Sequence, residues 1–270
     1  MLTTTGAPTQ EPPDLTPGPG PAVSVRDLGH SFGELVALEG VDMLLEASGV
    51  LGIVGPSGCG KSTLLEIVAG LRDPTSGSVL IGAMGGAEER LRSCAYMPQR
   101  DLLLPWLSAV DNAALAPSFA GVPREQAREA AAGHFARLGL EGFEGSRPNE
   151  LSGGMRQRVA FVRTLLSGKP VLLLDEPFAS LDAITRADAQ SWLAGVLAGD
   201  SHTVMLVTHD VEEALYLSDR VVVLTPRPGR VAATLEGPSP RAKDRAAAVT
   251  SREFAEGRAR ALRLLAGGAA

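Results

Sequence analysis

Nine consecutive residues, Gly55-Pro56-Ser57-Gly58-Cys59-Gly60-Lys61-Ser62-Thr63, have the composition of a loop that wraps an anion. Their spacing is G-x4-G-K-S/T. Glycines at these positions let the backbone turn so that successive N–H groups point inward, and a helix that follows adds the positive end of its dipole. Lys61 can reach the outer phosphates of a nucleotide, and the Ser62 hydroxyl can ligate a divalent cation. A glycine turn before a helix is common in itself, so the flanks decide. Val50–Val54 is a short, continuously apolar run. KSTLLEIVAGL after the loop has helical period, with Leu64, Leu65, Val68 and Leu71 on one face and Gly70 as its stop. Strand, glycine loop, helix is the setting a phosphate-binding loop requires. Lysine is also scarce here. Lys61, Lys169 and Lys243 are the three in the chain, so a lysine at this position is not background composition.

A second run, Val171-Leu172-Leu173-Leu174-Asp175-Glu176, is four apolar residues ending in two acids. A buried parallel strand delivers its C-terminal residues to the ligand crevice. There Asp175 can hold a hydrated cation, and Glu176 can polarise a water aimed at a terminal phosphate. A third segment, Leu151-Ser152-Gly153-Gly154-Met155-Arg156-Gln157-Arg158, reads as a capped helix start. Ser152 is a good N-cap, Gly153-Gly154 exposes backbone donors, and Met155, Val159, Val162 and Leu166 form an apolar stripe.

LSGGMRQR resembles the signature of the ABC ATPases, and the other motifs of that family appear in its order. Phe32 resembles the aromatic that stacks on adenine. Gln99, in YMPQ, resembles the glutamine that contacts Mg2+ and faces the transmembrane partner. Ser180-Leu181-Asp182 resembles the D-loop, and His209, in VTHD, the histidine at the γ-phosphate. The resemblance implies an α/β fold: a P-loop NTPase core with a mainly parallel sheet, an N-terminal antiparallel β region and an inserted helical subdomain. It implies ATP and Mg2+ as cofactors. Gly55 through Thr63 and Phe32 would hold the nucleotide, and Ser62, Gln99 and Asp175 the metal. Glu176 and His209 would be catalytic. Ser152, Gly153, Gly154 and Asp182 would act on the ATP of a second copy, in a head-to-tail homodimer of cassettes that closes on nucleotide. Gln99-x4-Leu104-Pro105-Trp106, Asp111-Asn112, DEPFASLDAITR, THDVEEALYLSDRVVVL and RPGRV resemble importers of nitrate, sulfonates, taurine and related small nutrients. That implies transmembrane permease subunits, an extracytoplasmic substrate-binding protein, and a peripheral place on the cytoplasmic face of the membrane.

Composition is compatible with this. The chain has 270 residues, 44% of them hydrophobic and 21% charged. A net charge of −6 argues against broad binding to nucleic acid. Two cysteines, Cys59 and Cys94, fit a reducing compartment better than a disulfide scaffold. No basic stretch precedes an apolar one at the N-terminus, so no secretory signal is expected. Residues 1–21 hold six prolines and almost no large apolar side chains, which predicts a disordered tail. The expected organisation is a cassette over residues 22–245, with a helical subdomain at about 98–167, and an amphipathic helix within 246–270 carrying Phe254, Arg258, Leu262 and Leu265. Val23-Ser24-Val25 alternates like an edge strand. Strands are also expected at Val41–Leu45, Val204–Val207 and Val221–Leu224. The apolar cluster Leu102–Trp106 reads either as subdomain core or as a groove for a permease helix.

Two rival readings account for less. A soluble ABC ATPase of repair or translation would bring a coiled-coil insertion, tandem cassettes or zinc cysteines. A small-molecule P-loop kinase would leave LSGGMRQR and His209 unexplained. The phosphate-loop reading has a direct test: Lys61→Ala abolishes tight ATP binding in an equilibrium titration. Unchanged affinity would remove the assignment.

Overall fold

A computed structural model describes residues 19–179, 181–199, 201–238, 241 and 244–267. Most of the proline-rich tail and Ser180 lie outside the described residues. The elements in order are β1 (Val23–Phe32), β2 (Leu35–Leu45), β3 (Val50–Val54), α1 (Lys61–Val68), β4 (Ser76–Ile81), α2 (Ala87–Ser93) and β5 (Cys94–Met97). Then come α3 (Ala109–Ala113), α4 (Leu115–Phe119), α5 (Arg124–Phe135), α6 (Gly153–Leu165), β6 (Val171–Asp175), α7 (Ala183–Ala198) and β7 (Thr203–Thr208). The chain continues through α8 (Val211–Leu217), β8 (Arg220–Leu224), β9 (Val231–Glu236), α9 (Arg245–Thr250) and α10 (Arg252–Gly267).

The six-stranded sheet has the order β5-β6-β7-β3-β8-β9, parallel except for β9. Its inner strands are apolar at nearly every position because both faces are covered. Alternate residues separate cleanly. Val54, Leu172, Leu174, Val204, Leu206 and Val221 face the helices, while Leu51, Ile53, Leu173, Met205 and Val222 face the second sheet and α1. Parallel strands so placed end together, and the polar residues that follow β3, β6 and β7 emerge along one edge.

The second sheet is antiparallel, in the order β2-β1-β4. β1 is therefore its middle strand, not an edge. Alternation reveals one buried face but carries no information about lateral partners. Two other expectations are also revised. Leu71 lies beyond the end of α1 and is exposed, because Gly70 takes a positive φ and turns the chain away. On α10 the buried residues are Phe254 and Ala261, with Leu264 and Leu265 packed beside them, whereas Leu262 faces solvent. β5 and β9 extend the six-stranded sheet at its two edges beyond the expected strands, and β4 does the same for the antiparallel sheet.

Between β5 and β6 the chain forms α3 to α6. Fully buried Asn112 organises the entry to this block. Its side chain accepts from Leu104 N at 2.7 Å and donates to the carbonyls of Leu104, Leu107 and Ser108 at 3.0–3.3 Å. Those bonds fix Leu102–Trp106 as a shaped loop. Leu103 turns inward, while Leu102 and Trp106 face solvent, Trp106 at 67% exposure. The core reading therefore holds for Leu103 and not for Leu102 or Trp106.

A polar inclusion ties the C-terminal helices to the core. Arg245 donates to Gln190 Oε1 at 3.1 and 2.8 Å, and Gln190 Nε2 donates to Glu213 Oε2 at 3.2 Å. Glu213 is buried on α8, and its other carboxyl oxygen has no partner. Burial, then the nearby Asp210, push its carboxyl up to about 8, against hydrogen bonds from Thr208 and Gln190 and the charge of Arg186. The folded chain thus holds a proton that an unfolded glutamate releases above its ordinary value. This group's contribution to stability is full below that ordinary value and is lost as pH rises toward 8. Glu213→Gln should flatten the decline in melting temperature between pH 5.5 and 8.5 and gain most at the alkaline end. Parallel curves for the two proteins would contradict it.

Candidate functional site

A cavity of about 540 Å3 opens along the edge where the parallel strands end. Phe32, Leu35 and Ala37 line one end, Gly58, Gly60, Lys61, Ser62 and Thr63 the floor, and Gln99, Glu176 and His209 the far rim. Three strand ends supply that rim. Gln99 follows β5, Glu176 follows β6, and His209 follows β7.

The floor is a tight loop entering α1. Gly60 caps the helix at φ +102°, and a Cβ there would come within 2.7 Å of Leu38, so both conformation and space require glycine. Lys61 is buried, and its ammonium donates to the carbonyls of Gly55 at 2.8 Å and Pro56 at 3.0 Å. Gly55, Pro56 and Cys59 do not line the cavity. The Cys59 side chain packs into the core, and burial pushes its thiol up, so it offers the loop a backbone and no nucleophile.

At the apolar end Phe32 is 43% exposed. Its ring carries the Arg72 guanidinium 4.8 Å from the centroid, and His30 meets it edge-on at 4.7 Å. Arg72 is held by Glu66 at 2.9 Å. The aromatic is thus braced from its own domain while remaining on the cavity wall.

The rim centres on one carboxylate oxygen. Glu176 Oε2 accepts from Gln99 Nε2 at 3.2 Å, and His209 Nδ1 lies 3.1 Å away. Glu176 itself has φ +47°, a left-handed conformation that costs a glutamate roughly 1–3 kcal/mol. The strand next door enforces it, since Glu176 N donates to Val207 O at 2.8 Å. Strain held at one residue by sheet pairing aims the side chain across β7 toward His209.

Asp175 sits one residue deeper. Its Oδ2 accepts from Tyr96 at 3.1 Å, and its buried Oδ1 has no hydrogen-bond partner. Burial raises its carboxyl above the ordinary range, despite hydrogen bonds from Ser62 and Tyr96. A buried carboxylate oxygen without a donor, beside a hydroxyl, is an oxygen-donor set suited to Mg2+.

Ser152, Gly153, Gly154 and Asp182 line no part of this cavity. Ser152 caps α6, accepting from Met155 N at 3.3 Å, and Asp182 caps α7, accepting from Ile184 N and Thr185 N at 3.1 Å each. Thr185, through its hydroxyl and backbone, holds the exposed Asp182 carboxyl below its ordinary range. Gln157, on α6, donates to Gln99 O at 3.1 Å and so joins the signature helix to the cavity rim. Sequence reasoning missed Gln157 and also Arg227, which lines the cavity from the β8–β9 turn.

Sheet order, glycine loop and acidic strand end define a P-loop nucleotide-binding protein. Comparison with known proteins sharpens this. The family described as ABC transporter matches residues 38–179. The aliphatic sulfonates import ATP-binding protein SsuB 1 of Rhodococcus jostii is 49% identical over 200 residues, 73% of this chain and 77% of that one. The taurine import ATP-binding protein TauB of Chromobacterium violaceum is 43% identical, covering 85% and 87%. The formylaminopyrimidine import ATP-binding protein ThiZ of Halalkalibacterium halodurans is 44% identical, covering 66% and 69%. Among solved structures, a dimeric post-hydrolysis state of the ATP-binding cassette MJ0796 bound to ADP and Pi superposes with a TM-score of 0.71. It is 30% identical and covers 79% of this chain and 98% of that one. The chain belongs to the ABC transporter family, as an ATP-binding cassette of its ATPase class.

Glu176→Gln keeps the side chain's shape and removes its basicity. It should bind ATP as the parent does while turnover falls by about 100-fold or more. Near-normal turnover would show that the carboxylate is not the group that activates water.

Proposed function

We propose that this chain is the ATPase subunit of an ABC importer, driving uptake of a small nutrient through a separate permease. The carrying observation is the loop that leaves β5. At its start Gln99 touches Glu176, and seven residues on, Trp106 stands exposed. Between them Arg163 donates to the carbonyls of Asp101 at 2.6 Å and Leu102 at 2.9 Å, and Arg156 pairs with Asp101 at 3.0 Å. A displacement of the exposed end is thereby transmitted to the catalytic carboxylate, and the reverse. A partner that reads or drives the ATPase cycle has its contact there.

The surface beside Trp106 suits a helix. Leu107, Ala114, Leu115, Phe119 and Val122 line a groove of about 490 Å3, with Phe119 87% exposed and Asp111 and Arg124 at its margin. Such an apolar trough with a charged rim receives an amphipathic segment, here a cytoplasmic helix of the permease. No helix among the described residues is long and apolar enough to cross a membrane, so the pathway belongs to that partner. The cassette then lies at the cytoplasmic face. The division into a tail over 1–21, a cassette over 22–245 with its helical arm at 98–167, and a C-terminal helix within 246–270 belongs to this reading.

Two cassettes would pack head-to-tail, so that Ser152-Gly153-Gly154 and Asp182 of one meet the nucleotide of the other. Their position outside the cavity supports this, because within one chain they have no nucleotide to serve. Ser62, Asp175 and Gln99 would hold Mg2+, which supplies charge neutralisation at the β- and γ-phosphates. Lys61 binds those phosphates, Phe32 stacks on adenine, Glu176 takes a proton from the attacking water, and His209 donates to developing γ-phosphate charge. The names of the relatives favour a sulfonate, taurine or vitamin-precursor substrate, and the sequence resemblance adds a nitrate-like anion. An extracytoplasmic binding protein would deliver it.

Trp106→Ala should leave basal ATPase activity intact and abolish its stimulation by permease, or detach the permease in co-purification. Lost nucleotide binding would instead mean that Trp106 supports the fold of the site.

A further inference from the structure

The closing RPGRV segment forms the turn between β8 and β9, and it is built against the phosphate loop although 169 residues separate the contact. Thr225 clamps the turn. Its N–H donates to Arg230 O at 2.9 Å, and its hydroxyl donates to Pro228 O and accepts from Arg230 N, each at 3.0 Å. Gly229 then docks on β2, donating to Ala37 O at 2.9 Å and accepting from Glu39 N at 3.1 Å. A Cβ at Gly229 would stand 2.2 Å from Cys59 O, so only glycine lets the turn approach the loop so closely.

This scaffold presents two arginines, and they are treated differently. Arg230 pairs with Glu39 at 2.8 Å, outside the cavity. Arg227 lines the cavity, and its Nε donates to Gly58 O at 3.2 Å. Among the described residues no carboxylate pairs with it. Its guanidinium retains N–H donors beyond the one spent on Gly58, in a fork suited to phosphate oxygens. Lys61, the other full cation on the cavity wall, is drawn down onto loop carbonyls. Arg227 is thus a fixed, unpaired cation between the apolar wall at Ala37 and the phosphate floor at Gly58.

We propose that Arg227 is a nucleotide-binding residue, whose guanidinium, anchored on Gly58, hydrogen bonds to the inner phosphates of the nucleotide held by the Gly55–Thr63 loop. This rests on the nucleotide reading of that loop and adds a contact contributed by the far end of the cassette. Because the turn that carries Arg227 docks on Ala37, at the apolar end of the cavity, ATP and ADP share the contact.

Equilibrium titration of the full chain with ATP and with ADP tests it, beside Arg227→Lys and Lys61→Ala. Arg227→Ala should raise both dissociation constants about tenfold, the scale of one exposed charge-assisted contact. KM for ATP should rise in step while turnover at saturation stays within about twofold. Arg227→Lys should recover much of the affinity, and the melting temperature without nucleotide should not change. Unchanged affinity in Arg227→Ala overturns the proposal, and a loss for ATP alone overturns the placement at the inner phosphates. If both variants melt early and bind equally poorly, Arg227 is a strut for the turn and the proposal fails. Lys61→Ala separates the two levels: if it too binds ATP normally, the nucleotide reading itself is wrong.

Discussion

Everything in this cassette depends on a parallel sheet whose inner strands are buried on both faces. Such strands can carry almost no polar side chain along their length, so chemistry is forced to the residue where each strand stops. β3 ends in the glycine loop, β6 in Asp175-Glu176, β7 in Thr208-His209, and β5 leads into Gln99. In-register parallel pairing puts these ends on one edge, so four segments far apart in sequence converge with no further device. The antiparallel sheet contributes differently. It sets Phe32 and Ala37 beside the loop, and so supplies an apolar wall to a polar floor made elsewhere.

Glu176 is where this geometry is stressed. A glutamate in left-handed backbone persists only if its surroundings outweigh the local cost, and the hydrogen bond to Val207 helps to do so. The result is a carboxylate oxygen facing donors from two neighbouring strands, Gln99 and His209. Gln99 is in turn held by Gln157 on the helix that Ser152 begins. A shift of that helix relative to the sheet must therefore disturb the hydrogen bonding of Glu176. The Glu176 carboxylate and the subdomain are linked by one glutamine amide and one backbone carbonyl, which is a short path for coupling.

Much of this was legible in the sequence for one reason. Doubly buried strands write themselves as unbroken apolar runs, as in VLGIV and VLLLD, and the residues that follow them stand out by contrast. Glycine spacing and the capping serine were legible because each satisfies a local backbone requirement. What escaped was lateral and long-range. β1 reads as one half-buried strand whether it lies at an edge or in the middle. β9, with Leu235 inward between outward-facing Thr234 and Glu236, is too short and alanine-rich to announce itself. The exposure of Trp106 beside buried Leu103 is decided by Asn112, several residues away. Arg227 looks like any turn arginine until Gly229 brings the turn against Cys59. No local pattern encodes such approaches, because their cause is the packing of the finished fold.

The state of Lys61 bears on how the site discriminates among anions. With its ammonium satisfied by Gly55 and Pro56 carbonyls, the lysine is neither free nor strained, and an arriving phosphate must compete with two good hydrogen bonds. A single weak anion gains little from that exchange, since a neutral acceptor is traded for a charged one only at the cost of desolvating the anion. A polyphosphate gains more, because the loop N–H groups and the dipole of α1 engage it in the same event. The Gly55 and Pro56 contacts hold Lys61 against its own loop. Burial of Lys61 would strengthen its pull on any phosphate that displaced those carbonyls, because an ammonium shielded from water interacts more strongly with an anion.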